Sequence, residues 1–518
     1  MDHLRDLHVL VLGLGTSGLA MARWCAGAGA RVSVWDSREL PPQADALRQA
    51  LPKAVLLSDA LGDHHLAGVQ MLLKSPGLAP SNERIAPVLA AAREAGIPIL
   101  GELDLFARAL ADLKAERGYA PKVVGITGTN GKTTTTAMAA LLIERSGKRV
   151  AMAGNIGPTL LDTLAAALAA ESPDQPLPEV WVLELSSFQL DGVQGFEPDA
   201  AAVLNVTQDH LDWHGSMDAY SAAKTRVFGA GLESTAVMVI NRGDLRTEAM
   251  VPAPVRIKGG PGRPASFVGR KVLRFGLDAP QHPGDFGLVN EGGMSWLVRA
   301  MEADETIKAR KGEAPEIHLQ HLMPVDALRV RGRHNAANAL AALALGVAIG
   351  RPLAPMLHAL RDYAGEPHRV EFVAQVGGVD AFDDSKGTNV GATVAALDGL
   401  GADLAPGRLV VILGGDGKGQ DFSPLAAPVT RYVRAAALIG RDAETIAATL
   451  SNTGVVMKRF ATLPEATRWC FAQAQPGDAV LLSPACASLD MFRHYGHRAE
   501  VFVATVRELA AERGGVMA

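Results

Sequence analysis

The sharpest chemical signal in the chain is GITGTNGKTT, in which Gly125, Thr127, Gly128, Thr129, Asn130 and Gly131 precede Lys132, Thr133 and Thr134. Glycines let a loop turn its backbone N–H groups onto phosphate oxygens. A lysine at the end of such a loop reaches the outer phosphates, and a following hydroxyl can ligate Mg²⁺. The spacing predicts an ATP-binding loop, although Ile126 stands where the general G-x-x-x-x-G-K pattern has glycine. A glycine-rich turn with an incidental lysine is the competing reading. VWVLELSSFQL brings Glu184 to the end of an apolar run, followed by Ser186, Ser187 and Gln189. An acid emerging beside a phosphate loop suits a further contact to Mg²⁺. AAVLNVTQDHLDWHGS delivers Asn205, Asp209, His210, Asp212 and His214. The two histidines are four apart, as in zinc hydrolases, but Leu211 fills the place of the catalytic Glu and Gly215 interrupts the helix. That favours a Mg²⁺ or phosphate role for His210. Asn335 and Asn338, three apart at the start of an alanine–leucine helix, are placed to hydrogen-bond an adenine, and Asn335 is also a candidate helix cap.

A second glycine loop opens the chain. Gly13, Gly15 and Gly18 satisfy G-x-G-x-x-G, and Asp36 ends the next apolar run at the spacing of a ribose contact. The loop fits a dinucleotide, but a UDP-sugar also supplies a diphosphate and a ribose; tight strand–helix packing without ligand is the third reading. A third unit, RLVVILGGDGKGQDF, contains Lys418. Each unit is a continuous apolar strand, a glycine loop and a helix, as in parallel sheets buried on both faces. The predicted fold class is therefore α/β, with three consecutive domains. An N-terminal Rossmann-like domain covers 1–115, a central P-loop domain with a mainly parallel sheet 116–366, and a C-terminal Rossmann-like domain 367–518. The first linker is placed near 103–121 and the second at DYAGEPHRVEFV, where Gly365 and Pro367 interrupt a helical stretch. The stretch from 245 to 330, rich in Gly and Pro, reads as a loop-rich elaboration with short strands.

Composition sets the limits. With 518 residues, 48% apolar and 20% charged, the chain can build several cores. A net charge of −5 leaves no general basic surface for nucleic acid. Three cysteines, Cys25, Cys470 and Cys486, are too few for a disulfide framework. No run reaches the ~20 apolar residues of a membrane span. The first apolar run breaks at glycines without a cleavage site, so a cytoplasmic protein is expected.

GTNGKTT, LELSSFQL, NVTQDHLDWHG with SAAK, RGRHNAANALAA, GEPHRVE, DDSKGTN, GGDGKGQDF and LLSPACASLDMF follow one another in this order. Together they resemble the muramyl ligases of peptidoglycan synthesis, in the D-glutamate-adding branch. Another muramyl ligase, or a folylpolyglutamate-type ligase, shares the phosphate loop. The resemblance implies UDP-N-acetylmuramoyl-L-alanine and D-glutamate as substrates, ATP with two Mg²⁺, a lysine carbamate formed from CO₂, and a monomer. It implies that Gly15, Thr16, Ser17, Asp36, Ser37, Arg38, Ser75 and Gly77 hold the UDP end, and that Asn155, Ser186 and Gln189 line the path of the acyl chain. Thr133, Glu184, His210 and carbamylated Lys224 would hold the metal ions, with Lys132 among the catalytic groups. Asn338, Arg369 and Asp384 match ATP contacts. Lys386, Thr388, Lys418, Ser488, Leu489 and Tyr495 match the D-glutamate pocket.

Overall fold

The computed structural model describes residues 2–232, 234–257, 266–303, 316–513 and 515–517. Its strands form three main sheets in chain order. The first comprises β1 (His8–Leu12), β2 (Arg31–Trp35), β3 (Val55–Leu57), β4 (Met71–Lys74) and β5 (Ile99–Leu100), all parallel in the order β3-β2-β1-β4-β5. Order reverses between β1 and β4, and the glycine loop after β1 sits at this switch point, where open α/β sheets bind ligands.

The middle sheet has β6 (Lys122–Thr127), β7 (Val150–Gly154), β8 (Val180–Glu184), β9 (Ala200–Val203) and β10 (Val237–Asn241). After the small hairpin of β11 (Val255–Ile257) and β12 (Ser266–Val268), it continues with β13 (Val272–Phe275), β14 (Phe286–Glu291), β15 (Met294–Glu302) and β16 (Ile317–Pro324). Strands β7 to β14 run parallel in the order β7-β8-β6-β9-β10-β13-β14, and β15 and β16 add antiparallel. The 245–330 stretch, expected to be loop-rich, thus extends the sheet with a nine-residue and an eight-residue strand. The bulge between Leu297 and Val298 and the Gly292–Gly293 turn break up the alternation of these strands, which hid them in the sequence. Residues 258–265 and 304–315 of that stretch lie outside the described part.

The third sheet is built from β17 (Glu371–Val376), β18 (Val379–Asp383), β19 (Leu409–Gly414), β20 (Val433–Ile439), β21 (Val456–Arg459), β22 (Ala479–Leu482) and β23 (Val516–Met517). Its order is β21-β20-β19-β22-β18-β17-β23, with the first five strands parallel.

The stretch read as the first linker is largely a buried helix. Glu102–Arg117 buries Leu103, Leu105, Phe106, Ala109 and Leu113, and ends at Gly118 with φ +68°. Phe106 meets Trp181 of β8 edge-on at 5.1 Å, and one apolar core runs from Leu4 through this helix to Val203 and Ile240. The first two sheets are therefore packed on a shared core, while the charged face that suggested a linker is the solvent side. The helices Lys132–Arg145, Arg333–Ala348 and Leu353–Asp362 cover the other face of the middle sheet. Among the described residues, no helix is long and apolar enough to cross a membrane.

The N-terminal glycine loop makes a testable demand. A Cβ on Gly18 would lie 1.9 Å from the Gly13 carbonyl oxygen, whereas one on Gly15 would meet nothing within 4 Å. Gly18→Ala should cost about 1–3 kcal/mol of stability, as overpacking does. Gly15→Ala should leave it unchanged, both read from urea unfolding.

Candidate active site

The β6 loop turns into the helix Lys132–Arg145 through two residues that need glycine. Gly131 has φ +83°, and a Cβ there would lie 2.5 Å from Asn338 Oδ1; Gly128 has φ +156°. Ile126, the departure from the general motif, is a fully buried strand residue opposite Glu184. Gly125 is likewise inside β6, where a Cβ would press on Val227 at 3.0 Å. It is a packing residue, so its expected phosphate contact is corrected. The loop proper begins at Gly128.

Lysines are concentrated here. Lys132 Nζ donates to the carbonyls of Gly128 and Thr129, each at 2.9 Å. Lys224 Nζ, on the helix Met217–Thr225, donates to Gly128 O at 2.9 Å, lies 3.5 Å from Thr127 Oγ1 and sits 4.5 Å from the centre of the Tyr220 ring. Burial lowers both ammonium pKa values, Lys224's well below the usual range, and the neighbouring Lys132 pushes Lys224 further in that direction. An amine that readily sheds its proton can attack CO₂ and become an anionic oxygen ligand.

Glu184 closes the other side. Its Oε1 accepts from Asn155 Nδ2 at 2.7 Å, while Oε2 is buried with no hydrogen-bond partner. A buried carboxylate oxygen without a donor is costly unless a cation completes it. Glu184, the Thr133 hydroxyl and His210 lie around one space and carry oxygen and imidazole donors that could meet Mg²⁺. His210 takes a left-handed φ of +53° at the start of the short helix Leu211–His214 and packs against Phe188 at 4.6 Å. Burial, with Lys132 and Lys224 nearby, lowers its pKa and keeps the ring neutral.

The C-terminal domain completes the cleft. Arg369 donates to Thr133 Oγ1 at 2.8 Å. Asn130 and Asn389 exchange amide hydrogen bonds at 3.0 and 3.2 Å, and Asn130 N–H also donates to Asn205 Oδ1 at 2.8 Å. These contacts enclose a cavity of about 440 Å³ lined by Thr129–Thr134, Asn155, Glu184, His210, Asn338, Arg369, Asp384, Lys386, Thr388 and Lys418. Asn338 donates to Asn335 Oδ1 at 3.1 Å, and Asn335 donates to Arg331 O at 2.7 Å. The helix cap is Gly332, not Asn335.

Other expected residues stand elsewhere. Lys386 Nζ lies over the Tyr495 ring at 3.9 Å, and Ser488 is buried. Leu489 is 71% exposed, and neither it nor Ser488 or Tyr495 lines the cavity. Ser186 and Gln189 cap one helix turn for each other, Ser186 N–H donating to Gln189 Oε1 at 3.0 Å. Gln189 faces a second cavity of about 490 Å³ shared with Lys74 and Gly101. In the N-terminal loop, Thr16 and Ser17 open the helix Thr16–Gly27 after Gly15. Asp36 accepts from Leu14 N–H at 2.6 Å and is held by Arg38 through both oxygens, at 2.8 and 2.7 Å. The pull of these donors keeps its pKa low despite burial. These donors brace the carboxylate beside the glycine loop. Ser75 braces the same loop by donating to Gly13 O at 2.9 Å; Ser37 accepts from Arg84 at 3.4 Å, and Gly77 is unobstructed. Tyr220, Asn389 and Asp209 were not singled out as site residues. Tyr220 lies four residues before Lys224, the one sequence cue that both share a helical face; its hydroxyl meets Thr129 Oγ1 at 3.1 Å.

The Asp384 carboxyl, beside Arg369, accepts from Ser483 Oγ at 2.6 Å; burial raises its pKa to about 7. An acid near 4 when unfolded and about 7 when folded favours the native state fully below about pH 4. That contribution, up to about 4 kcal/mol, is lost as pH rises through about 7. Asp384→Asn should therefore gain stability relative to the parent between pH 5 and pH 8 in the ligand-free protein, measured by thermal unfolding.

Known proteins align with this architecture. Residues 7–101 match the Mur ligase MurD-like N-terminal domain, 126–256 the Mur ligase middle domain, and 368–486 the Mur ligase glutamate ligase domain. A UDP-N-acetylmuramoylalanine–D-glutamate ligase of Albidiferax ferrireducens is 59% identical, covering 99% of this chain and 98% of its own. The ligase of the same name from Paraburkholderia xenovorans is 55% identical, covering 98% and 97%. The crystal structure of the UDP-N-acetylmuramate-alanine ligase MurC from Thermotoga maritima superposes with a TM-score of 0.54 at 19% identity, over 97% of this chain and 100% of that one, and so shares the fold. Phosphate loop, orphaned acid and bridging C-terminal domain thus occur in a chain whose similarity to such ligases runs nearly end to end, and this chain belongs to the Mur ligase family.

Proposed function

We propose that this chain joins D-glutamate to the L-alanyl carboxylate of UDP-N-acetylmuramoyl-L-alanine, with cleavage of ATP to ADP and phosphate. The identity of amino acid and acceptor rests on the near full-length similarity to ligases bearing that name. The chemistry rests on one observation: a buried lysine, a half-buried one and an orphaned glutamate oxygen converge on a phosphate loop.

A carboxylate and a triphosphate repel, so the first step needs positive charge fixed where they meet. Lys132 and the N–H groups of 131–133 supply it, and the helix behind them adds its positive end. Mg²⁺ held by Thr133, Glu184, His210 and carbamylated Lys224 would neutralise charge on the transferring phosphoryl group. The alanyl carboxylate takes the γ-phosphoryl group to become an acyl phosphate. The amine of D-glutamate then attacks the carbonyl, and phosphate departs. Neutral His210 is placed to donate to the oxyanion of that tetrahedral species. Arg369 and the Asn130–Asn389 pair hold the C-terminal domain over the cleft and exclude water, which would otherwise consume the acyl phosphate. Lys386 and Thr388 on that domain would receive the D-glutamate carboxylates, with Lys418 nearby.

The N-terminal loop of Gly15, Thr16 and Ser17 would hold the diphosphate through backbone N–H groups at a helix start. Asn155 and Gln189 lie along the way to the phosphate loop. Every group required comes from one chain, which supports action as a monomer, and ATP and a UDP-sugar as substrates support a cytoplasmic location.

Purified protein given UDP-N-acetylmuramoyl-L-alanine, ATP, Mg²⁺ and D-glutamate should release phosphate and ADP in equal amounts. No release, or release only with L-lysine or diaminopimelate in place of D-glutamate, would refute the assignment. Lys224→Ala should lose about 10²-fold or more of its turnover, as happens when a charge-stabilising group is removed. Short carboxylic acids added to that variant should restore part of it; full activity without additive would exclude a carbamate.

A further inference from the structure

A second cluster of ligand-bearing side chains lies outside both cavities, on the segment between β3 and β4. Asp59, His64 and His65 bring a carboxylate oxygen and two imidazole nitrogens within 4.8 Å of one another. His65 Nε2 is 3.2 Å from Asp59 Oδ1, and His64 Nε2 is 3.5 Å from Asp59 Oδ2. The longer separation is outside the normal range for a hydrogen bond. Both separations sit close to the edge of a tetrahedron around an ion with bonds of about 2.0–2.1 Å, which is about 3.3–3.4 Å.

The donors are also held from behind. The side chain of His65 is 5% exposed, and its Nδ1 lies 3.1 Å from Gly62 N and 3.2 Å from Gly62 O. Gly62 N–H donates to Nδ1, which leaves the imidazole proton on Nε2, facing Asp59 Oδ1; a bound ion would take the place of that proton. The His64 ring packs on that of His65 at 3.9 Å, so both Nε2 atoms reach the same carboxylate. The hydrogen bond from His65 pulls the Asp59 carboxyl below its ordinary pKa and keeps it anionic. Asp59 and His64 side chains are 62% and 68% exposed, which leaves the remaining coordination position open to water.

We propose that Asp59, His64 and His65 form a binding site for a borderline divalent ion, Zn²⁺ above all, separate from the Mg²⁺ of the ATP cleft. Two imidazoles with one carboxylate suit Zn²⁺, whereas Mg²⁺ favours a site made mainly of oxygen donors in an octahedron. The site is coupled to the nucleotide end. Asp59 O accepts the Trp35 indole N–H at 2.9 Å, and Trp35 directly precedes Asp36, the residue that braces the glycine loop. An ion tying Asp59 to the two histidines therefore stiffens the wall beside that loop.

The test is equilibrium dialysis of the full chain against Zn²⁺, with saturating Mg²⁺ and ADP filling the ATP cleft. The parent should hold one Zn²⁺ more than His64→Ala or Asp59→Asn, or bind it about tenfold or more tightly than either. Co²⁺ in the parent should show the intense visible bands of a tetrahedral ion, and His64→Ala should lose them. Both substitutions are at exposed side chains, and unchanged circular dichroism and turnover in Mg²⁺ establish that the variants are folded. Equal Zn²⁺ stoichiometry and affinity in parent and variants, or no tetrahedral Co²⁺ bands in the parent, would overturn the proposal.

Discussion

The active cleft depends on positive charge that the fold has taken out of water. Lys224 is buried and Lys132, half-buried, is near enough to lower its pKa, and three carbonyl bonds from the loop are most of what they receive in return. Burying an ion costs several kcal/mol even after the surroundings relax. The lowered pKa of both lysines is that cost expressed as a weakened hold on the proton. Glu184 repeats the imbalance with opposite sign: one oxygen is satisfied by Asn155 and the other faces a space no protein donor enters. A site arranged in this way is completed only by its ligands. Phosphate oxygens complete Lys132, and a cation completes Glu184. A carbamate on Lys224, as proposed above, would convert a liability into a ligand.

The same charge explains the linker to the third domain. His368 and Val370, on either side of Arg369, have φ of +63° and +50°, and a β-branched residue in that region is a true strain of about 1–3 kcal/mol. Contacts on all sides hold it. His368 Nδ1 meets Asp383 Oδ2 at 2.7 Å, and its backbone N–H donates to Glu371 Oε2 at 2.8 Å. Between them Arg369 reaches across to Thr133. The strained backbone thus aims a guanidinium from one domain at the phosphate loop of another, which joins closure of the cleft to delivery of charge.

How much of this was legible depended on whether the signal was local. A phosphate loop is a contiguous string, so Lys132, Thr133 and the loop glycines could be read directly, as could the three strand–loop–helix units. What failed was non-local. Gly125 and Ile126 look like loop residues in sequence, yet β6 continues through them because Glu184 and Ala202 pair alongside. The Glu102–Arg117 helix reads as a charged connector, and its apolar stripe acquires meaning only against Trp181 and the helix Leu160–Ala170. Across strands β14 to β16 the alternation is cut by Gly287, by the Gly292–Gly293 turn and by the bulge at Leu297 and Val298. Asn389 closes on Asn130 across 259 positions, a pairing no window of sequence contains.

The residues that were read as ligand contacts but turned out to be occupied point to a common design. Asp36 holds Leu14 and Arg38, Ser75 holds Gly13, Ser186 and Gln189 hold each other, and Asn335 holds Asn338. In each case a polar side chain beside the binding path spends its hydrogen bonds on the backbone or on a neighbour, not on open space. Such side chains fix the loops in advance, so that little conformational entropy remains to be lost when a long, multiply charged substrate arrives. On the proposed function, backbone N–H groups would then meet the phosphates. That division of labour accounts for the density of glycine at both loops: recognition by main chain requires close approach, and the neighbouring Asp, Ser and Asn residues are what keep so flexible a main chain in one shape.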